Sequence, residues 1–280
     1  MMPKEKESFN DLNTKEWAIN SRSVWNDLSS ARTRNALKHG ATFPKKLSDR
    51  VISLYSRKND LILDPFLGTG TTALSAIELQ RNFIGFELSK EFFDIANNTI
   101  KDCVNLLFNN SCDIIEGDCL ELIDGVDNNS VTLTLTSPPY ANLIHKVLED
   151  RTKRHKKSAF VVDNNATTRL YSNYDKDLGN MDLEKYKTAV LELMRKLFVK
   201  TKNGGYNVWV VKDFRDTKNK IPYVDLHTII ANLGQEAGFK YHDLIIWDQN
   251  ERRRLVLLGY PSVFYVNQNH SFIVVLRKTL

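Results

Sequence analysis

The sequence predicts an α/β fold, a doubly wound and mostly parallel sheet with helices on both faces. Two observations predict it. Short apolar runs of strand length alternate with stretches whose apolar residues recur at helical spacing. A glycine-rich turn, Gly68-Thr69-Gly70, also sits directly between the first such run and the next helical stretch. Strand, turn and helix in that order form the unit from which parallel sheets are wound.

In chain order, Leu47, Val51, Leu54 and Tyr55 recur at helical spacing and end near Arg57-Lys58. Leu61-Ile62-Leu63 reads as a short buried strand, and a helix is expected from about Thr71 to Leu79. Phe83 to Phe86 is the second strand. Phe92, Phe93, Ile95, Ala96 and Ile100 mark the next helix. Ile114-Ile115 and Val131 to Leu135 supply further strands. A helix is expected near Leu183 to Val199, with strands near Asn207–Val211, Leu244–Trp247 and Phe272–Leu276. Two stretches break the alternation and read as excursions from the sheet, Ala141 to Met181 and Asp248 to Asn269.

Composition bounds the function. The chain has 280 residues, 42% hydrophobic and 26% charged, ordinary for a globular domain and against wholesale disorder. No apolar run approaches the roughly 20 residues of a membrane helix. The polar N-terminus, Met1 to Glu7, lacks the apolar segment of a secretory signal. Cys103, Cys112 and Cys119 make neither a disulfide framework nor a zinc site, so a reducing cytoplasm is the expected home. The net charge of +5 is unevenly placed. Residues 1–150 carry 16 Lys and Arg against 21 Asp and Glu; residues 151–280 carry 23 against 13. A basic second half suits a surface that meets a polyanion, with nucleic acid the leading candidate; the plain alternative is a scattered, solvated basic surface.

The first chemical signal is Asp64-Pro65-Phe66-Leu67-Gly68-Thr69-Gly70-Thr71-Thr72. Glycines there let the backbone turn tightly and approach a ligand closely. The Lys-Ser/Thr of a phosphate-binding loop and the third glycine of a dinucleotide fingerprint are missing. Glu87, at the end of the second strand, is placed to accept hydrogen bonds from both hydroxyls of a ribose, and Asp118 could bind the amino group of an adenine. Together they point to a nucleoside ligand. At this point the sequence resembles a family, the amino-group DNA methyltransferases. Asp64-Pro65-Phe66 with Gly68 and Gly70 looks like their S-adenosylmethionine motif, and His39-Gly40-Ala41-Thr42-Phe43-Pro44 like their additional cofactor motif. The resemblance implies S-adenosylmethionine as cofactor, a seven-stranded Rossmann-like methyltransferase sheet, and cofactor contacts from Thr42, Phe43, Asp64, Pro65, Phe66, Gly68, Gly70, Thr71, Glu87, Leu88, Asp118 and Cys119.

The second signal is Thr136-Ser137-Pro138-Pro139-Tyr140. Two prolines remove two backbone donors and stiffen the loop, leaving carbonyls without internal partners. Such acceptors, with the Ser137 hydroxyl, suit an exocyclic amine, which offers two N–H donors. Tyr140 gives a flat face on which an extruded base could stack. By resemblance, Ser137, Pro138, Pro139 and Tyr140 form the catalytic motif, in the serine form most typical of N4-methylcytosine enzymes; N6-adenine is the alternative product. The cofactor motif precedes the catalytic one, the reverse of many serine-form relatives. Methylation at cytosine C5 would need a thiolate after a proline, and no cysteine here follows one.

The expected organisation is a single catalytic domain over residues 1–280. Within it, 39–125 is the cofactor-binding part, 131–140 the catalytic loop, and 141–181 and 248–269 the target-recognition excursions. Arg151, Lys153, Arg154, Lys156, Lys157, Arg252, Arg253 and Arg254 are the candidate contacts to double-stranded DNA. No metal is expected. The reading is a site-specific DNA methyltransferase of a restriction-modification system, with a cognate restriction endonuclease and a second copy of the chain as candidate protein partners. A non-catalytic nucleic-acid-binding module is the alternative of a different class, disfavoured by the intact Ser137 to Tyr140 motif. Asp177-Leu178-Gly179-Asn180 also resembles a stretch that follows the catalytic motif in relatives, without a chemistry readable from the residues.

Overall fold

The computed structural model describes residues 10–28, 43–107, 110–139, 177–216, 221–250 and 265–279. The helices are α1 (Thr14–Asn20), α2 (Lys45–Tyr55), α3 (Thr71–Glu78), α4 (Lys90–Leu107), α5 (Cys119–Leu122), α6 (Leu183–Lys200) and α7 (Leu226–Glu236). The strands are β1 (Val24–Trp25), β2 (Leu61–Asp64), β3 (Asn82–Glu87), β4 (Cys112–Glu116), β5 (Val131–Thr136), β6 (Thr201–Val211), β7 (Phe214–Asp216), β8 (Ile221–Val224), β9 (Lys240–Asp248) and β10 (His270–Arg277). The main sheet runs β1-β9-β10-β6-β5-β2-β3-β4, and β7 with β8 forms a separate hairpin. Strands β2 to β6 pair in parallel, whereas β10 is antiparallel to both β6 and β9.

Alternation of strands and helices therefore led to the right class, with corrections in detail. Among the described residues the sheet has eight strands, not seven. The extra one, Val24–Trp25, pairs in parallel with Ile246 and Trp247 at the β9 edge. Two residues carry no periodicity, so nothing local announces it; what holds it is Trp25, 1% exposed, beneath the Arg50 side chain. Arg50 also makes a bidentate pair with Asp27 at 2.9 and 2.7 Å. Asp27 is half exposed, so that pair contributes under about 1 kcal/mol, and the packing of the Arg50 stem on Trp25 matters more. Strands β6 and β9 begin earlier than expected, at Thr201 and Lys240, because polar strand ends lack the apolar run used to find them. The second excursion is also shorter. Asp248 still pairs with His270, and the Gln249 N–H donates to the Asn269 carbonyl at 2.7 Å. Its residues 251–264 lie outside the described ones.

Two apolar layers clamp the sheet. One gathers Leu47, Val51 and Tyr55 of α2, Ala73 and Ala76 of α3, and Ala96 and Ile100 of α4 over one face. The other sets Tyr186, Val190, Leu193, Met194 and Leu197 of α6, and Leu226 and Ile230 of α7, against Leu63, Trp209 and Val274. The α6 residues recur at helical spacing, and Asp182 caps the helix by accepting from the Lys185 N–H. Helix α7 comes so close to the sheet that a Cβ on Gly234 would lie 2.2 Å from Leu276 Cδ1. No helix among the described residues is long and apolar enough to cross a membrane.

This strand order fixes where a ligand can sit. From β2 the chain winds through β3 and β4 to one side, then returns to β5 and β6 on the other. The reversal opens a crevice at the carboxyl ends of β2 and β5, the usual ligand position in such sheets. The Asp64–Thr72 and Thr136–Pro139 segments lie at the ends of those two strands.

Candidate functional site

The glycine loop follows β2 directly. Gly70 adopts φ +89° at the start of α3, and a Cβ there would stand 3.2 Å from Ala96 Cβ on α4. The position thus requires glycine both for its left-handed backbone and for the close approach of α4. Asp64 is 2% exposed, and its carboxylate accepts from the Phe66 N–H (3.0 Å), the Thr136 hydroxyl (2.7 Å) and the Thr72 hydroxyl (2.6 Å). Burial pushes this carboxyl up to about 6, against the pull of those three donors. The Thr136 bond matters most for the site. It ties the end of β2 to the last residue of β5, so the glycine loop and the Ser137-Pro138-Pro139 loop start from one buried joint. Pro138 is buried, and Ser137 and Pro139 are half-buried. Phe66 reaches across to meet Trp209 of β6 edge-on at 6.3 Å.

Glu87 closes β3 and reaches back over the crevice. One oxygen accepts from the Gly68 N–H (2.7 Å), the other from the Ser89 N–H (2.8 Å). Each keeps a second lone pair for a ligand donor. Burial pushes the carboxyl up to about 7; the two N–H groups oppose this, and the charges of Asp64 and Asp177 add to it. Asp118 caps α5 by accepting from the Leu120 N–H at 2.9 Å. Cys119 is buried, which drives its thiol well above the ordinary range and makes it a small apolar side chain. Pro65 is buried, and Thr71 and Leu88 are half-buried beside the loop. Phe43 is half-buried against the first apolar layer.

The remaining expected residues fall outside the described ones: Thr42, Tyr140, Arg151, Lys153, Arg154, Lys156, Lys157, Arg252, Arg253 and Arg254. At the end of the first excursion the chain is a single turn of 3-10 helix, Leu178–Asn180. Asp177 caps it by accepting from the Gly179 N–H (2.8 Å), and Leu178 is buried with Phe86, Cys119 and Trp209. This segment, without a readable chemistry in the sequence, thus brings a third carboxylate near Glu87. Sequence reasoning also missed Asp213, Asp225 and His227, whose ligand atoms lie within 4.8 Å of one another. Their contacts are made by folding, and no spacing in the sequence announces them.

Comparison with known proteins bears on the same region. Residues 2–98 match the family model described as DNA methylase. The chain is 41% identical over 87 residues to the type II methyltransferase M.MthZI of Methanothermobacter thermautotrophicus, covering 30% of this chain and 24% of that protein. It is 45% identical over 71 residues to the orphan methyltransferase M.BamHII of Bacillus amyloliquefaciens, covering 25% and 27%. The chain thus spans about a quarter of the length of these relatives. Among solved structures, a SAM-dependent methyltransferase of Methanosarcina mazei superposes with a TM-score of 0.50 at 11% identity, over 82% of this chain and 97% of that one, a likeness of fold alone. The resemblance to amino-group DNA methyltransferases is therefore borne out by the family match over residues 2–98, which includes the cofactor motif and ends before the Ser137–Tyr140 motif, and by relatives about 40% identical over a quarter to a third of the chain.

Proposed function

We propose that the chain transfers a methyl group from S-adenosylmethionine to an exocyclic amine of a base in double-stranded DNA, with cytosine N4 as the target. The observation that carries this reading is the joint between the two loops: the Thr136 hydroxyl on Asp64 holds the nucleoside-type loop and the amine-accepting loop at one crevice. The donor set fits the cofactor. Glu87 offers free lone pairs at the carboxyl end of β3, where an acidic residue can accept from ribose hydroxyls, and the nearby Asp64 and Asp177 make the crevice favourable to a cation. S-adenosylmethionine supplies an electrophilic methyl group on a sulfonium. The chain's own part is positioning: Ser137 and the proline carbonyls accept from the amine hydrogens and aim its lone pair, and Tyr140 stacks on the extruded base. The preference for cytosine rests on the neutral Ser137 at the head of the loop.

Mass spectrometry of nucleosides from DNA incubated with the protein and cofactor tests this. N4-methylcytosine is expected. N6-methyladenine alone would overturn the base assignment, 5-methylcytosine would overturn the mechanism as well, and unmodified DNA would overturn the whole reading.

The basic excursions are proposed to meet the DNA backbone. Neutralising Arg151, Lys153, Arg154, Lys156 and Lys157 together is expected to flatten the salt dependence of DNA binding while leaving cofactor affinity alone. If each makes a phosphate contact, the log–log slope loses roughly 0.9 per contact. An unchanged slope would place these side chains away from DNA.

A further inference from the structure

Away from the crevice, towards the amino ends of the parallel strands, the fold encloses a cavity of about 160 Å³. Helix α2 brings Leu54 and Tyr55 to it shortly before the chain enters β2. Strand β6 contributes Tyr206, and β9 contributes His242 and Asp243. Trp17 of α1 completes this part of the wall. Tyr206 lies opposite Leu133, three residues before Trp209 meets Thr136. The cavity is therefore on the order of 10 Å back along the strands from the joint at Thr136.

Its wall is aromatic and carries one carboxylate. The Tyr55 and Tyr206 centroids are 4.7 Å apart with planes inclined by 45°, and Tyr206 and His242 are 5.3 Å apart at 66°. A flat guest such as a base needs parallel faces to stack between. Rings inclined to one another suit a compact, rounded group, and an aromatic face attracts a cation through its quadrupole. Asp243 is the one acidic residue of the wall, and no lysine or arginine among the described residues lines it. Arg277 lies 5.2 Å from the Tyr206 centroid, but outside the wall, where it donates to the Gly204 carbonyl. Burial, reinforced by the charge of Asp243, holds the Tyr55 phenol well above its ordinary range, so this hydroxyl stays neutral. A cavity of about 150 Å³ takes a benzene-sized guest, and an ammonium with alkyl arms is of that size.

The outer wall has little cover of its own. Helix α1 has seven residues, too few to be stable alone in water, and it buries none of them. Its capping box, with Asn13 and Glu16 each accepting from the other's N–H, fixes where it starts. Trp17 nevertheless remains 45% exposed, and Asp243 beside it 60%. Charge and ring surface thus meet at an opening to solvent. We propose that this cavity binds a free organic cation, an alkylammonium about the size of choline, with Trp17, Tyr55 and Tyr206 around its alkyl groups and Asp243 facing its charge. The site is separate from the proposed methyl transfer and does not depend on it.

The test is a ligand-observed NMR titration of the full chain with choline and, separately, with 3,3-dimethylbutan-1-ol. The two molecules share one shape, and only choline is charged. Choline is expected to saturate the protein and to bind roughly tenfold more tightly than the alcohol. Asp243→Asn is expected to lower choline affinity roughly three- to tenfold and to leave the alcohol unaffected, whereas Trp17→Ala weakens both. Both side chains reach solvent, so melting temperatures of the variants should match wild type. Choline that does not saturate, or an alcohol that binds as tightly, overturns the proposal. So does a choline affinity that neither substitution changes.

Discussion

Glu87→Ala is expected to weaken S-adenosylmethionine binding by roughly ten- to a hundred-fold, a loss on the order of 1.5–3 kcal/mol from one charge-assisted acceptor. The half-buried side chain spans the glycine loop through bonds from the Gly68 and Ser89 N–H groups and keeps free lone pairs. Calorimetry reads the affinity directly, and an unchanged value would remove Glu87 from the cofactor site. The same carboxyl makes a pH prediction. Its value in the folded chain is about 7, raised by burial from an ordinary 4.5. A raised carboxyl means that the folded state holds the proton more tightly. The stability it contributes is present below 4.5 and is lost as pH rises through about 7. Asp64, raised to about 6, acts in the same direction. Melting temperature without cofactor is therefore expected to fall from mildly acidic to mildly alkaline pH. Cofactor affinity should rise over the same window, because ribose donors favour the ionised carboxylate. In Glu87→Ala the rise in affinity should disappear; its persistence would assign the titration to another group.

Asp64→Ala is expected to destabilise the fold by on the order of 2–4 kcal/mol, because it strands two buried hydroxyls and one N–H without their acceptor. Thr72 is 1% exposed and Thr136 is fully buried, so water cannot replace the lost partner cheaply. Asp64→Asn should cost much less. Its amide carbonyl still accepts, and the hydroxyl facing its NH₂ can reverse and accept in turn. Denaturant unfolding distinguishes the two, since midpoints should shift at unchanged slope. A loss under about 1 kcal/mol in the alanine variant would mean that the joint between β2 and β5 is held by packing instead of by these bonds.

Local patterning carried much of this protein. The 3.6-residue recurrence of Leu47, Val51, Leu54 and Tyr55, and of Phe92, Ala96 and Ile100, is the record of one helix face packing on a sheet, and those side chains are buried. The runs Leu61–Leu63 and Phe83–Phe86 are apolar, and Val131–Leu135 is built of β-branched and apolar residues, because parallel strands are covered on both sides. Gly70 was legible for a similar reason, since a left-handed backbone admits few residues. In each case the deciding force acts within a few residues, so the chain's own order displays it.

What only the tertiary structure decided are the features that join distant segments. Val24–Trp25 becomes a strand because β9 offers an edge and Arg50 covers Trp25, not because two residues prefer extension. Asp64 looks in sequence like a ligand contact, yet 72 residues separate it from the Thr136 hydroxyl that makes it a structural joint. Asp177 arrives at Glu87 through the burial of Leu178. Asp213 and His227 meet across a hairpin, on a phenylalanine from a strand that follows much later. Periodicity and motif report forces between near neighbours in the chain. Hydrogen bonds and ring contacts between remote residues leave no period behind, because their spacing is set by the topology of the sheet.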